Sequence, residues 1–443
     1  MTQRPQVAYR SRASRVFLVL LVGGWLLAAP ATPSGFQVMT QGARATGMGL
    51  AFTGVADDPS AIFFNPAGMG FQEHFSIMIG GAVLGRKKAD FAGADPFPGE
   101  GTSGSVQKQE FVIPLVYVVV PLTSELNFGL GVNSPYGLGL RWNDPENWSG
   151  RFVSQNAVIK TLDINPVFSY KLFPELSVAA GADLRFSKVQ LERNSNLGIV
   201  DPFGGEVQDL AHVKLNSSLT SNTGWGWNVG LLFKPISNIG VGVAYRSKIT
   251  VDYDGTAVFT QRFTGNPAID NLVGQLLPQG EHPVATSVAF PASLNTGVGI
   301  ELPAGFLLAL EADWTEWSSF SSLNIHFPDG VAPDIDRTTL WKDSWAYRVG
   351  LEKKFASGWA LRAGYYYDNT PQPEVDVGPI LADNDRNVYS AGFGYDTPQW
   401  GIDVGGLYIR FKDRDVLTQS TDNFFGHYSE DAWVGAATFR FSF

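Results

Sequence analysis

Cysteine is absent from the 443 residues, which excludes disulfides and thiolate metal sites. Charge is sparse. Asp, Glu, Lys and Arg make up 17% of the chain, against roughly 25% in soluble domains. Long apolar runs are also missing. Past residue 34 none reaches the about 18 residues that a spanning helix requires, and the longest, Phe111–Pro121, contains Pro114. What the chain does have is 49 Gly, 31 Phe and 13% aromatics. An apolar, aromatic, Gly-rich chain without long apolar runs fits alternating strands. In a bilayer only helices and closed barrels satisfy every backbone group.

The first residues read as a signal peptide. Arg4, Arg10, Arg12 and Arg15 precede the apolar stretch Val16–Ala29, and small residues follow at Ala29, Ala31 and Ser34. Cleavage is expected between Ala29 and Gly35. No lipobox Cys is present, so a lipoprotein is excluded. Removing residues 1–34 moves the formal charge from −10 to −14. An acidic exported chain argues against nucleic acid as a partner.

The remainder repeats one unit, an alternating run followed by a connector. At the end of the chain Trp433, Gly435, Ala437, Phe439, Phe441 and Phe443 share one face of a strand, and Val434, Ala436, Thr438, Arg440 and Ser442 share the other. Tyr347, Val349, Leu351 and Phe355 alternate likewise with Arg348, Gly350, Glu352 and Lys354. Charges fall on the side away from the aromatics, as a polar lumen requires. Short connectors, such as Phe173–Glu175 and Thr397–Gln399, alternate strictly with long polar ones, such as Arg262–His282 and Thr370–Asp385. Outer-membrane barrels sort their loops this way, with short periplasmic turns and longer outer loops. Counting runs gives an all-β, antiparallel transmembrane barrel of about fourteen strands over Glu73–Phe443, with both ends in the periplasm. A closed barrel needs no second copy, so a monomer in outer-membrane lipid is expected.

Residues 35–72 are Gly-rich and do not alternate. They are too few for a second domain and too apolar for a free tail, so the expectation is a hatch inside the lumen. Asp58-Pro59 suits the N-cap and first position of a short helix, with Phe63 and Phe64 on its apolar side. Asn65-Pro66 should end it.

Several motifs together resemble the FadL/TodX-type long-chain fatty acid transporters. They are Gly35-Phe36-Gln37, Gly47-Met48-Gly49 with Ala51-Phe52, and Asp57-Asp58-Pro59 leading to Asn65-Pro66-Ala67. Farther on lie Pro135-Tyr136-Gly137-Leu138, Lys342-Asp343-Ser344 with Tyr347-Arg348, and Asp368-Asn369-Thr370-Pro371 with Pro373. A second Asn-Pro-Ala, Asn266-Pro267-Ala268, lies in an outer loop and is not read as a hatch element. The resemblance implies a fourteen-stranded barrel with a hatch, capture of a hydrophobic ligand by outer loops, and lateral escape into the membrane. The terminal Phe443 resembles the signal read by the barrel assembly machinery.

On that reading, individual residues acquire roles. Asn65, Pro66 and Ala67 are expected at the hatch gate, near a wall gap at Pro135, Tyr136 and Gly137, because proline cannot donate to a ladder. Asn65 is the expected partner of that break. Ile269, Leu272, Val273, Leu276 and Leu277 have helical spacing. With Leu197, Ile199, Val200 and Phe203 they are expected to form an apolar ligand groove, the alternative being that the two loops simply pack together over the barrel mouth. A fatty acid carboxylate needs a cation, and Lys188, Arg193, Arg337 and Lys342 are the candidates near the outer half of the wall. No metal site or cofactor is called for. An enzyme is not expected: no Gly-x-Ser-x-Gly, His-Glu-x-x-His or Ser-x-x-Lys set stands in a supporting context. The alternatives are a porin for small polar solutes and, behind it, an outer-membrane lipase.

Overall fold

The computed structural model describes residues 35–196 and 209–443. The expected signal peptide and the loop residues Leu197, Ile199, Val200 and Phe203 lie outside them. Fourteen antiparallel strands close into one barrel. They are β1 Ser76–Gly93, β2 Glu110–Pro121, β3 Leu126–Asn133 continued by Gly137–Arg141, β4 Asn156–Phe173, and β5 Leu176–Ser195. Next come β6 Ala211–Ser217 with Thr223–Ile236, β7 Ile239–Arg246 with Ile249–Gln261, and β8 Glu281–Phe290 with Ser293–Leu302. The ring ends with β9 Phe306–Thr315, β10 Ser344–Lys354, β11 Trp359–Asp368, β12 Arg386–Asp396, β13 Trp400–Phe411 and β14 Gly426–Ser442. β14 pairs with β1 from Ser76↔Ser442 to Gly93↔Gly426, which removes both free edges.

The alternation in the sequence becomes the two faces of the wall. On β14, Val434, Ala436 and Thr438 are buried, whereas Trp433, Phe439 and Phe441 are exposed. On β10 and β11, Arg348, Glu352 and Arg362 are buried opposite the exposed Leu351, Trp359 and Leu361. The outer face is thus apolar and aromatic, and the inner face carries the charges, as a lipid-facing wall requires. Short and long connectors alternate, although β1 reaches farther outward than expected, to Gly93, and β14 begins as early as Gly426.

Residues 36–71 fill the lumen. From Thr40 to Gly70 every residue except Asp57 is buried. The wall makes room with inward glycines: a Cβ on Gly242 would lie 2.0 Å from the Thr53 carbonyl oxygen, and one on Gly350 would lie 2.3 Å from that of Met48. Charges tether the segment. Arg44 donates to Glu352 of β10 at 2.9 Å through both Nε and Nη2, and Arg362 of β11 joins the same carboxylate at 2.6 Å. Glu311 of β9 accepts from the backbone amides of Phe52 and Thr53 at 2.7 and 2.6 Å. Removing one member of such a buried pair leaves an uncompensated charge, at a cost of about 3–5 kcal/mol.

The short helices differ from expectation. α1 spans Ala43–Gly47 and α2 spans Ala61–Phe64. Asp58 does not cap a helix that starts at Pro59. Its carboxylate accepts from Ser60 N and Oγ at 2.9 and 2.5 Å, and that local turn delays the helix. The helix does end at Phe64, with Asn65 extended ahead of Pro66, as expected. Pro66 then starts a 3₁₀ helix, Pro66–Phe71, with Asn65 accepting from Ala67 N. Proline's fixed φ suits a first helical position.

Candidate functional site

The wall is interrupted between β2 and β3. Their ladder runs only from Pro121↔Asn127 to Val116↔Val132. Above it the second half of β3 pairs with β4 alone, and Glu110–Leu115 of β2 pair with β1 alone. Continued outward, that register sets Pro114 opposite Ser134 and Pro135 opposite Ile113. Hydrogen-bonded rungs alternate along an antiparallel pair. Leu122 N bonds Leu126 O, so Pro114↔Ser134 is a bonded rung and Pro135 on the next faces β4; Pro114 leaves Ser134 O without a donor from β2, and the ladder stops. The sequence motif points to Pro135 alone and not to Pro114. A proline inside an apolar run was the available signal, since such a run is demoted to an edge strand.

The break is occupied from inside. Val38 N donates to Pro135 O at 2.8 Å, and Gly137 N donates to Phe36 O at 2.9 Å. Gln37 and Tyr136 form the bridge between these bonds. Gln41 Nε2 donates to Ser134 O at 2.8 Å. Outside these contacts, Arg86 Nη1 reaches Gly139 O, and the Phe111 ring packs over Gly139. The side chain that meets the break is thus Gln41, not Asn65. Asn65 Nδ2 donates instead to Thr53 O and to Leu231 O of β6, each at 3.0 Å. Its turn is still close, because Pro66 and Pro135 line the same small cavity of about 440 Å³. Asn65 does not reach across because its amide hydrogens are held by Thr53 O of the luminal segment and Leu231 O of β6.

Two larger spaces lie above. An apolar cavity of about 1050 Å³, open mouth included, is walled by Leu138, Ile159, Val189, Tyr253, Val288, Phe320 and Trp341, and Phe36 forms part of its lining. Phe36 itself sits in an aromatic cage, 4.9 Å from Trp317 and 5.5 Å from Phe320 between ring centroids. A more open cleft of about 1130 Å³ is lined by Phe152, Leu191, Arg193, Ile335, Arg337 and Asp422. Leu191, Leu323, Ile325, Arg337, Asp376 and Ile380 line both spaces, which therefore adjoin. Arg337 is engaged, donating to Asp422 at 2.5 and 2.9 Å. Arg193 has no hydrogen-bond or ion-pair partner among the described residues. Burial raises the Asp376 carboxyl above its usual range, against the pull of the Leu340 N–H and Arg337.

The other candidate cations do not gather there. Lys188 follows the outward parity of Phe186 and Leu184, stands opposite Lys160 of β4, and lines neither space. Lys342 is exposed and lines neither space; its backbone N–H bonds Pro371 O. The loop stripe forms the expected helix, α3, Pro267–Leu276. It splits, however. Val273 and Leu277 are buried, Leu272 and Leu276 are 47% and 59% exposed, and none of the five lines the cavity or the cleft. The helix is pinned by Asp270, which accepts from Thr264 and whose carbonyl accepts from Gln261. That pinning holds the helix in place, and among the described residues the stripe lines neither space.

A closed barrel with a filled lumen, an apolar outer face and, among the described residues, no helix long or apolar enough to cross a membrane belongs to the class of outer-membrane barrels. Residues 24–443 match the family model described as outer membrane protein transport protein (OMPP1/FadL/TodX), and the chain belongs to that family. The long-chain fatty acid transport protein of Escherichia coli O6:H1 is 25% identical over 462 residues, covering 96% of this chain and 98% of that one. Outer membrane protein P1 of Haemophilus influenzae is 23% identical over 430 residues, covering 89% and 90%. Among solved structures, a Pseudomonas aeruginosa FadL homologue superposes with a TM-score of 0.79 at 22% identity, covering 93% of this chain and 100% of that one. The P. putida toluene transporter TodX gives 0.67 at 18%, covering 87% and 94%.

Proposed function

We propose that this chain carries long-chain fatty acids, or apolar molecules with a similar anionic head, across the outer membrane. The ligand enters the outer cleft and passes into the apolar cavity. It leaves sideways between β2 and β3 when residues 36–41 release the break. The observation that carries this reading is Phe36: it lines the apolar cavity, and its own carbonyl is bonded into the wall gap. Ligand pressing into the cavity therefore competes with the segment that seals the gap. Burial gives about 0.8 kcal/mol per methylene, so a chain of a dozen carbons gains roughly 10 kcal/mol. That exceeds the about 1–3 kcal/mol by which coupled sites usually bias one another.

Residues 35–72 act in this scheme as the hatch, with Asn65, Pro66 and Ala67 holding its lower turn. Arg193 is the group proposed to meet the carboxylate: it is half-buried at the cleft, its side chain has no hydrogen-bond or ion-pair partner among the described residues, and a poorly solvated cation gains when an anion arrives. Phe443, exposed on the outer face, is kept as the handle for the barrel assembly machinery. Transport without chemistry follows, and no catalytic group is assigned.

The relative TodX is called a toluene transporter, and an apolar cavity of this kind suits a neutral hydrocarbon as well. Arg193→Ala separates the two. Uptake of oleate by cells expressing equal surface amounts should fall about tenfold, the effect of losing one charge-assisted contact, while uptake of toluene should be unchanged. Equal loss of both, or of neither, would remove Arg193 from head-group recognition and leave a neutral ligand as the better reading.

A further inference from the structure

Lys160 of β4 and Lys188 of β5 are direct partners in the antiparallel ladder. Both lie on the outer face, in step with the exposed Phe168, Tyr170 and Leu172 on β4 and with Leu184 and Phe186 on β5. Like charges directly opposite each other destabilise a strand pair, so this register needs a counter-ion. Neither ammonium group has an ion-pair or hydrogen-bond partner among the described residues. The nearest acid above on β5, Glu192, is already engaged by Gln190 at 2.7 Å and by Lys214 at 3.3 Å. On the other flank, the position beside Lys160 is Gly137 of β3, which places no side chain there.

Height along the wall decides what the anion is. From Lys160 down to Leu172 is about twelve residues. At roughly 3.3 Å each and tilted by roughly 40°, they rise about 30 Å. The apolar band of such barrels is about 25 Å tall. The pair therefore stands just above the hydrocarbon, where the head groups of the outer leaflet lie. Basic side chains at that level attract anionic lipid head groups, and a phosphate offers oxygens enough for both ammonium groups.

We propose that Lys160 and Lys188 form a binding site for the phosphate of an outer-leaflet lipid, on the wall beside the β2–β3 break. This is independent of what the cavity carries. The test uses the full chain in zwitterionic detergent, with binding of lipid A read by native mass spectrometry against phosphatidylcholine and inorganic phosphate. Replacing both residues by Ala should weaken lipid A binding about tenfold, and replacing both by Arg should leave it within about twofold. Inorganic phosphate in equal amount should not compete, because the acyl chains on the apolar band supply the rest of the affinity. Heat-modifiable gel mobility confirms folding, and Lys160→Gln with Lys188→Gln serves if the Ala pair does not assemble. Unchanged lipid A binding in the Ala or Gln pair overturns the proposal. So does saturation by inorganic phosphate as readily as by lipid, which would mark a free-anion site only.

Discussion

The tripeptide Asn-Pro-Ala occurs twice, and the two copies fold alike locally. Asn65 accepts from Ala67 N at 3.2 Å, and Asn266 accepts from Ala268 N at 3.0 Å. In both the proline takes a first helical position. The surroundings differ. Asn65 is fully buried, and its Nδ2 also bonds Thr53 O and Leu231 O. Asn266 is exposed and makes no further side-chain bond among the described residues apart from its cap. The motif dictates a turn; the partners beyond the turn decide whether that turn is a tether in the lumen or the start of a surface helix.

Breaking the buried copy should give the largest effect. Asn65→Ala removes three hydrogen bonds and strands buried carbonyls, costing about 2–4 kcal/mol. The β-barrel, held by its own ladders, should stay folded while the segment in the lumen loosens. Single-channel recordings in planar bilayers should show a raised and fluctuating conductance. A parent-like, closed trace would mean that the tether at Arg44 and Glu311 suffices and that Asn65 is only a local cap.

The wall gap gives the next effect in size. Pro135→Ala alone relaxes the chain at the break but leaves the donor missing at Pro114, opposite Ser134 O. The pair Pro114→Ala with Pro135→Ala should let the β2–β3 ladder extend and lower oleate uptake severalfold, with each single change doing less. Each new ladder bond is worth about 0.5–1.5 kcal/mol, enough to compete with the bonds that residues 36–38 make at the break. Equal uptake by the double variant and the parent, at equal surface level, would favour a straight passage through the lumen.

These two sites also show what a sequence discloses. The wall was legible throughout, because a period of two with charges on one side and aromatics on the other admits one arrangement in lipid. Pro135 was legible because proline has no N–H. Gln41, Phe36 and Glu311 were not. Their roles depend on which strand stands opposite across the lumen, and no spacing along the chain encodes that. Lys188 failed for a related reason. It lies near the right height, but parity puts it on the lipid side, and one residue along the strand reverses the face. Arg193, five positions on, has the inward parity of Arg185 and Ser187 and lines the cleft.

Breaking the exposed copy should do least. Asn266→Ala removes one cap from α3, worth about 1 kcal/mol, and the helix keeps its second anchor, the Asp270 carboxylate bonded to Thr264. Leu272 and Leu276 project outward and line neither the cavity nor the cleft. Leu272→Asp with Leu276→Asp therefore buries no charge and closes no path. Oleate uptake by either variant should stay within about twofold of the parent, since surface substitutions usually stay within about 0.5 kcal/mol. Hydrogen exchange in residues 267–276 should quicken for Asn266→Ala and remain near the parent for the Asp pair. A large loss of uptake in the Asp pair, with normal surface amounts, would show that ligand first touches the exposed side of α3. The loop would then belong to the capture surface after all, and the distinction between the two Asn-Pro-Ala copies would be one of stage in transport rather than of tether against ornament.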